Sequence, residues 1–490
     1  MRSYFRKDLK PRYSSFSYPI NAFSGVDAYS NEDTLPLSWC RYGYNVKLEN
    51  GRIKENFGIN SAKINSLYIP NSLALGSKIK VASIYRCYDY EQNQVNNILI
   101  MQLFNGKIYY FVFAEHKYYY SGLQITDKVR FLNYHANDKD LCLLLTDGAK
   151  SYTFDGSKFT EITAPPSVGG CVHNTRVFSV NDKTNKLSFS KELDPTNWNV
   201  SSTEGGYINF IDEGGALTGA ISFKNSVYVF KKYAIYRLNA YVDQSDYALS
   251  KVFSTNNEIY FDTVAICNET MIFLAEDGFY SFDGYNLKRI LGGLTPLIAD
   301  KSVSHAVYYG NKYYIATALV KNGETVGDEE RETMVRNGII HYDIISGEVG
   351  IYRGSNVSGF VPFVADGTNM MLLIFGGDLR GMAIGMFTDD GKVFGHPLQK
   401  KWVSPYTDLG NLDKIKVLKK VFIRAGQNVK LTLKLDKDYD ITLPGANFVR
   451  YVPVNKRAER VGFSVSTNGE KLDVSGLLME FDFVRRIPNE

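Results

Sequence analysis

The chain has 490 residues and is rich in aromatic side chains, with 35 tyrosines and 30 phenylalanines against 3 tryptophans, and 44% of its residues are hydrophobic. This much apolar surface can be buried against the entropy of ordering the chain, which excludes disorder as the main state. A net charge of +4 excludes the basic excess typical of dedicated nucleic-acid binding proteins. The aromatic surplus favours β-strands, whose half-buried faces accommodate flat rings.

The N-terminus and the cysteines bear on the cellular compartment. The first residues include Arg2, Arg6 and Lys7, but no apolar stretch follows them as in a signal peptide, and no run of about 18 apolar residues occurs later. We therefore expect no membrane anchor and no secretion signal. The cysteines are odd in number and widely separated, and Cys142 and Cys267 lie in apolar runs that predict buried thiols, so folding in a reducing cytoplasm fits best. The cysteines are Cys40, Cys87, Cys142, Cys171 and Cys267.

Residues 1–78 predict an N-terminal arm of mixed character that closes onto the domain after it. The segment 45–54, NVKLENGRIK, has an apolar and polar alternation around Asn50 and Gly51. Such an alternation around an Asn-Gly pair is typical of a β-hairpin with a tight turn. The arm is thus expected to contain one or two strands.

Residues 79–405 predict a β-propeller of five to seven blades. Apolar and polar residues alternate, and Asn-Gly and Asp-Gly pairs that favour primed hairpin turns interrupt the alternation. The segments LLLTDGAKSYTFDGSKFTEI (143–162) and IFLAEDGFYSFDGYNLKRI (272–290) share one order of strands and turns. A spacing of roughly forty to fifty residues is typical of four-stranded propeller blades. The units are predicted near 80–121, 122–168, 169–212, 215–255, 256–298, 303–353 and 357–405.

Two polar segments within the repeats are interpreted as connections between strands. Residues 321–332, KNGETVGDEERE, predict an exposed loop between outer strands. Residues 376–381, GGDLRG, lie between strands, where glycines relieve crowding at a bend. A turn is therefore favoured there over a ligand-binding loop.

Residues 412–490 predict a separate small β-sandwich, because the Phe-Asp-Gly repeats stop before Trp402 and longer alternating strands follow. In VKLTLKL (429–435), valine and leucine face one side of the strand, and lysine and threonine face the other. The basic residues of this region either dock onto an adjacent subunit or form a solvated face, and the sequence leaves both open. They are Arg450, Lys456, Arg457, Arg460, Arg485 and Arg486.

The sequence contains no motif of a catalytic, cofactor-binding or metal-binding site, so we predict no such residues and no enzymatic activity. The six histidines lack metal-site spacing, and nucleophile-elbow, phosphate-loop and dinucleotide motifs are absent. These histidines are His116, His135, His173, His305, His341 and His396. The enzymatic alternative is a glycosidase, because 153–159 superficially resembles a sialidase Asp-box. The adjacent Asp155 and Gly156 favour a type I′ turn instead.

Clustered tyrosines at 118–120 and 313–314 have two interpretations. Tyrosines on blade edges could stack on sugars or on a neighbouring subunit. Alternating tyrosines can also pack within sheets without any ligand, and the sequence favours this second interpretation.

Three segments resemble β-propeller virion proteins of tailed bacteriophages. The stretch GYNVKLENGRIKENFG (43–58) is similar to their NV-x-x-x-x-G-x-(I/V)-x-x-R-x-G motif, with Asn56 where the family often has Arg. The stretch LDPTNW (193–198), followed by the strand 223–231, is similar to their D-P-x-x-W blade. The stretch KWVSPYTDLG (401–410) resembles their passage from the propeller to a C-terminal sandwich.

The resemblance implies a structural role at the neck or tail of a virion, as a DNA-stabilisation ring, tail nozzle or hub. Several copies of the chain would assemble around or below the DNA ejection channel, with portal, adaptor or other tail proteins as partners and with passive contact to packaged DNA. The protein would fold in the cytoplasm of the bacterial host and reside in the virion, as part of the head-tail connector or tail. The alternative is a glycan- or receptor-binding propeller at the tail tip.

Overall fold

The computed structural model describes residues 14–64, 67–70, 75–89, 94–136, 139–148, 150–241, 243–320, 336–354, 356–365, 367–379, 382–426, 429–443, 449–469 and 471–485. Their regular structure is almost entirely β-strand, which confirms the predicted all-β class. Short 3-10 helices lie at Glu32–Thr34, Gln244–Asp246 and Gly292–Leu297. Across these ranges no helix is long and apolar enough to cross a lipid bilayer. The loop predicted at 321–332 lies outside the described residues.

Seven strands form the N-terminal segment. They are β1 (Ser14–Ile20), β2 (Tyr42–Tyr44), β3 (Val46–Glu49), β4 (Arg52–Glu55), β5 (Gly58–Ser61), β6 (Lys63–Ile64) and β7 (Leu67–Tyr68). The predicted hairpin is formed by β3 and β4, which pair antiparallel around the turn at Asn50 and Gly51. Both turn residues have positive φ, at 52° and 70°, as a type I′ turn requires.

Five antiparallel sheets of four strands follow, and in each sheet the strands pair in chain order. The first contains β8 (Ile79–Asp89), β9 (Gln94–Leu103), β10 (Lys107–Val112) and β11 (Lys117–Gln124). The second contains β12 (Val129–Ala136), β13 (Lys139–Thr146), β14 (Ser151–Phe154) and β15 (Phe159–Ile162). The third contains β16 (Gly169–His173), β17 (Arg176–Asn181), β18 (Lys186–Phe189) and β19 (Gly206–Asn209).

The fourth and fifth sheets repeat the same plan. The fourth contains β20 (Leu217–Phe223), β21 (Ser226–Lys231), β22 (Ala234–Asn239) and β23 (Ala248–Ser254). The fifth contains β24 (Ile259–Cys267), β25 (Thr270–Ala275), β26 (Gly278–Phe282) and β27 (Leu287–Ile290).

Strands of the N-terminal segment pair with the last two sheets of the series. The sixth contains β28 (Ile298–Tyr309), β29 (Lys312–Leu319), β30 (Gly338–Asp343) and β31 (Val349–Arg353). The seventh contains β32 (Val357–Ala365), β33 (Thr368–Leu379) and β34 (Met382–Thr388), and the short β35 (Lys392–Val393) and β36 (His396–Pro397) follow. The strand β5 pairs antiparallel with β34, with Ile59 opposite Phe387, and so supplies the fourth strand of the seventh sheet.

The seven sheets form a closed, propeller-like ring. The first strand of each sheet contacts the first strand of the next, from β8 through β12, β16, β20, β24 and β28 to β32, and β32 contacts β8. An apolar cluster lies between neighbouring sheets, as where Tyr134 and Leu143 of the second sheet meet Val177 of the third. Because a small sheet cannot bury both faces alone, each sheet depends on its two neighbours.

Aromatic rings fill the clusters between the sheets. Tyr228 of the fourth sheet packs against Phe282 of the fifth, with their ring centroids 5.5 Å apart. Tyr85 of the first sheet meets Phe154 of the second at the same distance of 5.5 Å. Such pairs contribute about 0.5–1.5 kcal/mol each beyond the burial of their area. The aromatic surplus of the sequence therefore serves mainly to hold neighbouring sheets together.

The C-terminal module consists of two facing sheets. Its strands are β37 (Gln399–Val403), β38 (Lys414–Ala425), β39 (Val429–Lys434), β40 (Asp438–Leu443), β41 (Val449–Ala458), β42 (Gly462–Asn468) and β43 (Asp473–Arg485). One sheet has the order β1, β43, β38, β41, and the other has β2, β37, β42, β39, β40. Leu431, Phe463 and Met479, each with 0% exposure, belong to the shared core.

The predicted division of the chain differs from the sheet pairing in two places. The sequence assigns residues up to 405 to the repeat region, but β37 pairs with β2 and β42 of the C-terminal module. The physical reason is Trp402, whose buried ring lies 5.3 Å from the rings of both Phe23 and Phe463. The N-terminal arm is also divided, because β5 completes the ring whereas β1 and β2 belong to the C-terminal sheets.

Candidate functional site

A cavity of about 410 Å³ lies on the axis of the ring. The first, second, fifth, sixth and seventh sheets contribute its lining. The charged and titratable lining residues are Lys80, Lys128, Arg130, Asp262, His305 and Arg336. Phe104 also lines the cavity and is 60% exposed, so this end of the cavity opens to solvent.

Strand alternation places two of the cations in the cavity. Val129 is fully buried in the cluster between the first and second sheets. Because successive side chains of a strand point to opposite faces, Lys128 and Arg130 on either side of it turn away from that cluster. Both residues line the axial cavity.

An ion-pair cluster crosses the axis of the ring. Asp262 on β24 accepts a hydrogen bond from Lys128 at 3.3 Å and another from Arg130 at 3.0 Å. The cations belong to the second sheet and the carboxylate to the fifth, so these contacts join sheets that are not neighbours. Burial alone would raise the pKa of Asp262, but Arg130 and Lys128 outweigh it and lower the pKa to about 2. The carboxylate is therefore ionised at neutral pH.

The other titratable groups of the cavity are cationic or neutral. Lys80 donates from Nζ to the carbonyl of Thr126 at 3.0 Å, and Arg336 donates from Nε to the carbonyl of Val303. Burial, together with the charge of Arg336, lowers the pKa of His305 to about 3, so its imidazole is neutral at neutral pH. The lining thus combines four cations, one carboxylate and one neutral imidazole.

This cavity is not among the sequence-based predictions. Of its charged and titratable lining residues, those predictions include only His305, as one of the histidines that lack metal-site spacing. A usable signal exists, since Lys80, Arg130 and Asp262 lie within the first four positions of β8, β12 and β24. A charged residue at the start of each first strand of a propeller-like repeat predicts a charged axis.

Two other histidines and most of the cysteines are buried within the fold, away from the cavity. His341 Nε2 lies 3.0 Å from Asn56 Oδ1, and His173 Nδ1 lies 2.8 Å from Ser222 Oγ. All five cysteines are free, and four of them are buried, which confirms the predicted buried thiols of Cys142 and Cys267. In the part of the chain that the structure describes, no group of three His, Cys, Asp or Glu side chains could hold a metal ion.

Some of the clustered tyrosines pack between sheets, and others are exposed to solvent. Tyr313 and Tyr314 are 1% and 7% exposed and belong to clusters between sheets, as the packing interpretation predicts. Tyr119 stacks on Tyr110 with ring centroids 5.3 Å apart. Tyr120 is 48% exposed at the outer strand of the first sheet.

The two Phe-Asp-Gly segments do not form the predicted type I′ turns. Each is a four-residue loop, between the paired residues 154 and 159 and between 282 and 287. Only the glycines Gly156 and Gly284 have positive φ, whereas a type I′ turn needs two such residues. The Asp155 carboxylate accepts from the backbone N–H groups of Ser157 and Lys158, each at 2.9 Å. The carboxylate therefore closes a wider loop than the one predicted.

The segment 43–58, which carries the first of the three resemblances, lies where the ring meets the C-terminal module. Asn45 has φ of +57°, its Nδ2 donates to the carbonyl of Gln399 at 2.8 Å, and its Oδ1 accepts from the N–H of Arg353 at 2.8 Å. At Gly51, also with positive φ, a Cβ would lie 2.8 Å from Cβ of Ala22. Asn45 thus links the backbone of β31 in the sixth sheet to that of β37 in the C-terminal module.

The DPTNW segment closes a long loop of the third sheet. Asp194 Oδ1 accepts from the N–H of Thr196 at 3.1 Å and from its hydroxyl at 2.7 Å. Trp198 then packs against the apolar cluster between the second and third sheets. The segment therefore fixes a loop onto the ring.

Comparison with known proteins gives a structural neighbour but no family. No protein-family model and no curated protein matches the chain. Among solved structures, the chain is similar to BamB from Moraxella catarrhalis, with 8% sequence identity and a TM-score of 0.40. The similarity covers 70% of this chain and 94% of that chain.

Proposed function

We propose that the chain is a seven-bladed β-propeller with a C-terminal β-sandwich, and that it is a structural component of a tailed-phage virion at the neck or tail. The blade count rests on the seven sheets whose first strands contact one another in a closed series. The sandwich rests on the apolar core between the two C-terminal sheets. The virion role rests on the three segments that resemble phage propeller proteins.

The observation that carries this proposal is the way residues 14–61 join the two bodies. The strand β3 pairs with β31 of the sixth sheet, and β4 pairs with β43 of the C-terminal module. A ten-stranded sheet therefore runs from the ring into the module. In a symmetric ring of subunits each weak contact is repeated by every copy, so a subunit with fixed internal geometry favours assembly.

The DNA channel of the proposed assembly lies between copies of the chain. The ion pairs from Asp262 to Lys128 and Arg130 cross the axis of a single propeller, so a DNA duplex has no straight path there. A ring of several subunits supplies a wider opening around its own symmetry axis. Passive contact with packaged DNA would then involve the outer surface of each subunit.

We further propose that β41 docks against an adjacent subunit. It is an edge strand of its sheet and carries Lys456 and Arg457, both exposed. Edge strands offer backbone hydrogen-bonding groups to another chain. Arg460 has a different role, because it pairs with Asp33 at 2.8 Å. Of the other basic residues, Arg450 lies in β41, Arg485 ends β43, and Arg486 is outside the described residues.

Cryo-electron microscopy of virions tests the assignment. We expect several copies of the chain in a ring at the neck or tail, with β41 at an interface between subunits. The double variant Lys456→Glu/Arg457→Glu should reduce incorporation into particles, whereas Lys288→Glu, on the exposed outer strand β27, should not. Copies located at a fibre tip would contradict the ring proposal.

A receptor-binding role at the tail tip is the second candidate, and exposed aromatic residues favour it. Tyr241 and Tyr285 are 61% and 83% exposed, in equivalent loops of the fourth and fifth sheets. Exposed rings of this kind can stack on sugars. Binding of host glycans that is lost in Tyr285→Ala would favour this role, and release of reducing sugar from those glycans would contradict our proposal that the protein is not an enzyme.

A further inference from the structure

We propose that the axial cavity binds a small, multiply charged oxyanion of the phosphate class, held by Lys80, Lys128, Arg130 and Arg336. This site is independent of the proposed virion role. It follows from three features of the cavity: its surplus of positive charge, its buried polar atoms without partners, and its size and access to solvent.

The first feature is the charge balance of the lining. Four cations share the single lining carboxylate of Asp262, which already binds Lys128 and Arg130. Asp300 also lies near Arg336 but is not part of the lining. Like charges held together in a cavity with protein walls repel one another and attract counter-ions. A ligand with two or three negative charges would compensate the remaining cations.

The cations of the cavity differ in charge balance from the buried cations elsewhere in the chain. Lys231 is fully buried and pairs with Asp212 at 3.1 Å. Lys416 is also fully buried and donates to three backbone carbonyls, at Asn411, Lys414 and Glu459. Each of these cations has acceptors supplied by the chain. The cavity cations also have acceptors, since Thr126 and Val303 supply carbonyls and Asp262 supplies a carboxylate. Four positive charges nevertheless lie together with one negative charge in the lining, which points to an anion from outside.

The second feature is a set of buried polar atoms. Both ring nitrogens of His305 and Nε of Arg130 are inaccessible to solvent and have no hydrogen-bond partner among the described residues. A buried donor without a partner costs about 1–3 kcal/mol, so such groups are rare and call for an explanation. The neutral imidazole of His305 can donate one hydrogen bond, and an oxyanion supplies several acceptors. Because these atoms have no accessible surface, the side chains of His305 and Arg130 would have to turn toward the cavity for an oxyanion to accept from them, and such a turn would give both donors a partner.

The third feature is the volume and its opening. A volume of about 410 Å³ falls within the range of small-molecule sites and accommodates pyrophosphate with its hydration. Phe104, 60% exposed, lies at the open end, so the ligand can enter from solvent. The ion pairs of Asp262 with Lys128 and Arg130 lie within the lining and cross the axis, so they exclude a DNA duplex.

Isothermal titration calorimetry of the full chain tests the site, with pyrophosphate and orthophosphate as probes at neutral pH and fixed ionic strength. We expect saturable binding of one pyrophosphate per chain with a Kd below about 1 mM, and weaker binding of orthophosphate. Lys80→Gln and Arg336→Gln should each weaken pyrophosphate binding about tenfold or more, because charge-assisted hydrogen bonds are lost. Lys288→Gln, which removes an exposed lysine of β27, is the matched control and should bind as the wild type.

A variant that should bind pyrophosphate more tightly distinguishes a specific loss of binding from misfolding. Asp262→Asn removes the competing carboxylate, so pyrophosphate affinity should rise about threefold or more. The absence of saturable binding, equal weakening by Lys288→Gln, or weaker binding in Asp262→Asn would overturn the proposal. Displacement of pyrophosphate by a short DNA duplex at equal phosphate concentration would overturn the assignment to a small ligand.

Discussion

Two aspartates of the ring each bind two cations, but only one of these four cations, Lys231, is fully buried. Asp212, in the connection after the third sheet, pairs with Lys231, which has 0% side-chain exposure. Asp262, in the axial cavity, pairs with Lys128, which keeps 48%. A buried ammonium group needs its carboxylate, because an uncompensated charge is very costly in the protein interior. A solvated ammonium group, such as that of Lys128, does not need a paired carboxylate, so the charges of the cavity are available for binding.

Three side chains contact the carboxylate of Asp212. Lys231 donates both to the carboxylate and to the backbone carbonyl of Asp212, at 3.1 and 2.7 Å. Lys251 lies 2.6 Å from the same carboxylate, and the hydroxyl of Tyr236 donates to it. We infer that this cluster stabilises the fold, whereas the cluster at Asp262 positions charges. The following variants test that distinction.

The largest effect is expected for Asp212→Asn. The substitution leaves the buried Lys231 without its counter-charge and should lower the free energy of unfolding by about 3 kcal/mol. Lys251→Gln, the control, removes a lysine that is 41% exposed and should cost less than about 1 kcal/mol. Urea unfolding followed by fluorescence measures both. Equal losses in the two variants would show that burial of the cation does not decide the effect.

A somewhat smaller decrease in the free energy of unfolding is expected for Glu55→Gln, where the ring meets the C-terminal module. Glu55 pairs with Lys400 at 3.3 Å, and the lysine side chain is only 2% exposed. We expect a decrease of about 2 kcal/mol, since the amide retains part of the interaction. Glu49→Gln breaks a pair with Lys54 in which the side chains are 40% and 31% exposed, and it should cost less than about 0.5 kcal/mol. Thermal unfolding midpoints of the two variants give the comparison.

The pH dependence of stability tests the role of Asp212. Burial opposes ionisation of Asp212, but Lys251, Tyr236 and Lys231 together lower its pKa well below the usual value. A carboxyl whose pKa is lower in the folded state stabilises the fold above its unfolded pKa of about 3.9, and this contribution is lost as the pH falls through the folded pKa. Urea midpoints from pH 7 to pH 3 should therefore fall less steeply in Asp212→Asn than in the wild type. An unchanged slope would contradict this role of Asp212.

The smallest change in stability is expected for Asp262→Asn. The carboxylate is 41% exposed and its partners Lys128 and Arg130 are 48% and 27% exposed, so solvent screens the pairs. We expect a decrease below about 1 kcal/mol, although the two cations outweigh the opposing effect of burial and lower the pKa of Asp262 to about 2. A loss as large as that of Asp212→Asn, measured under the same conditions, would remove the contrast between the two clusters.

The repeated pattern of the sequence was sufficient to predict the β-structure and its units, but not the source of every strand. Alternation and turn residues are local signals, and they located the four-stranded sheets from β8 to β27 within several residues. The pairing of β5 with β34 joins residues far apart in sequence, which no local pattern encodes. The placement of β37 was likewise decided by the burial of Trp402 rather than by the alternation around it.

Turn chemistry was predicted least well, because several residue pairs can adopt the same backbone. Positive φ at both turn residues occurs at Asn174 and Thr175 and again at Lys224 and Asn225, neither of which contains glycine. The Asp-Gly pair at residue 155 forms a wider loop instead. The axial cavity was missed for a related reason, since its charged residues come from separate sheets and converge only in the folded ring.

The strand β5 also sets an order of events during synthesis of the chain. Residue 61 leaves the ribosome about 320 residues before its partner strand β34 begins at residue 382. At roughly 5–20 residues per second, the strand β5 stays unpaired for roughly 15 to 65 seconds after it emerges. The intermediate sheets can pair as they appear, because their strands are adjacent in sequence. Closure of the ring is thus a late, long-range event, and truncated chains ending before residue 382 should remain open and prone to association through the unpaired strand.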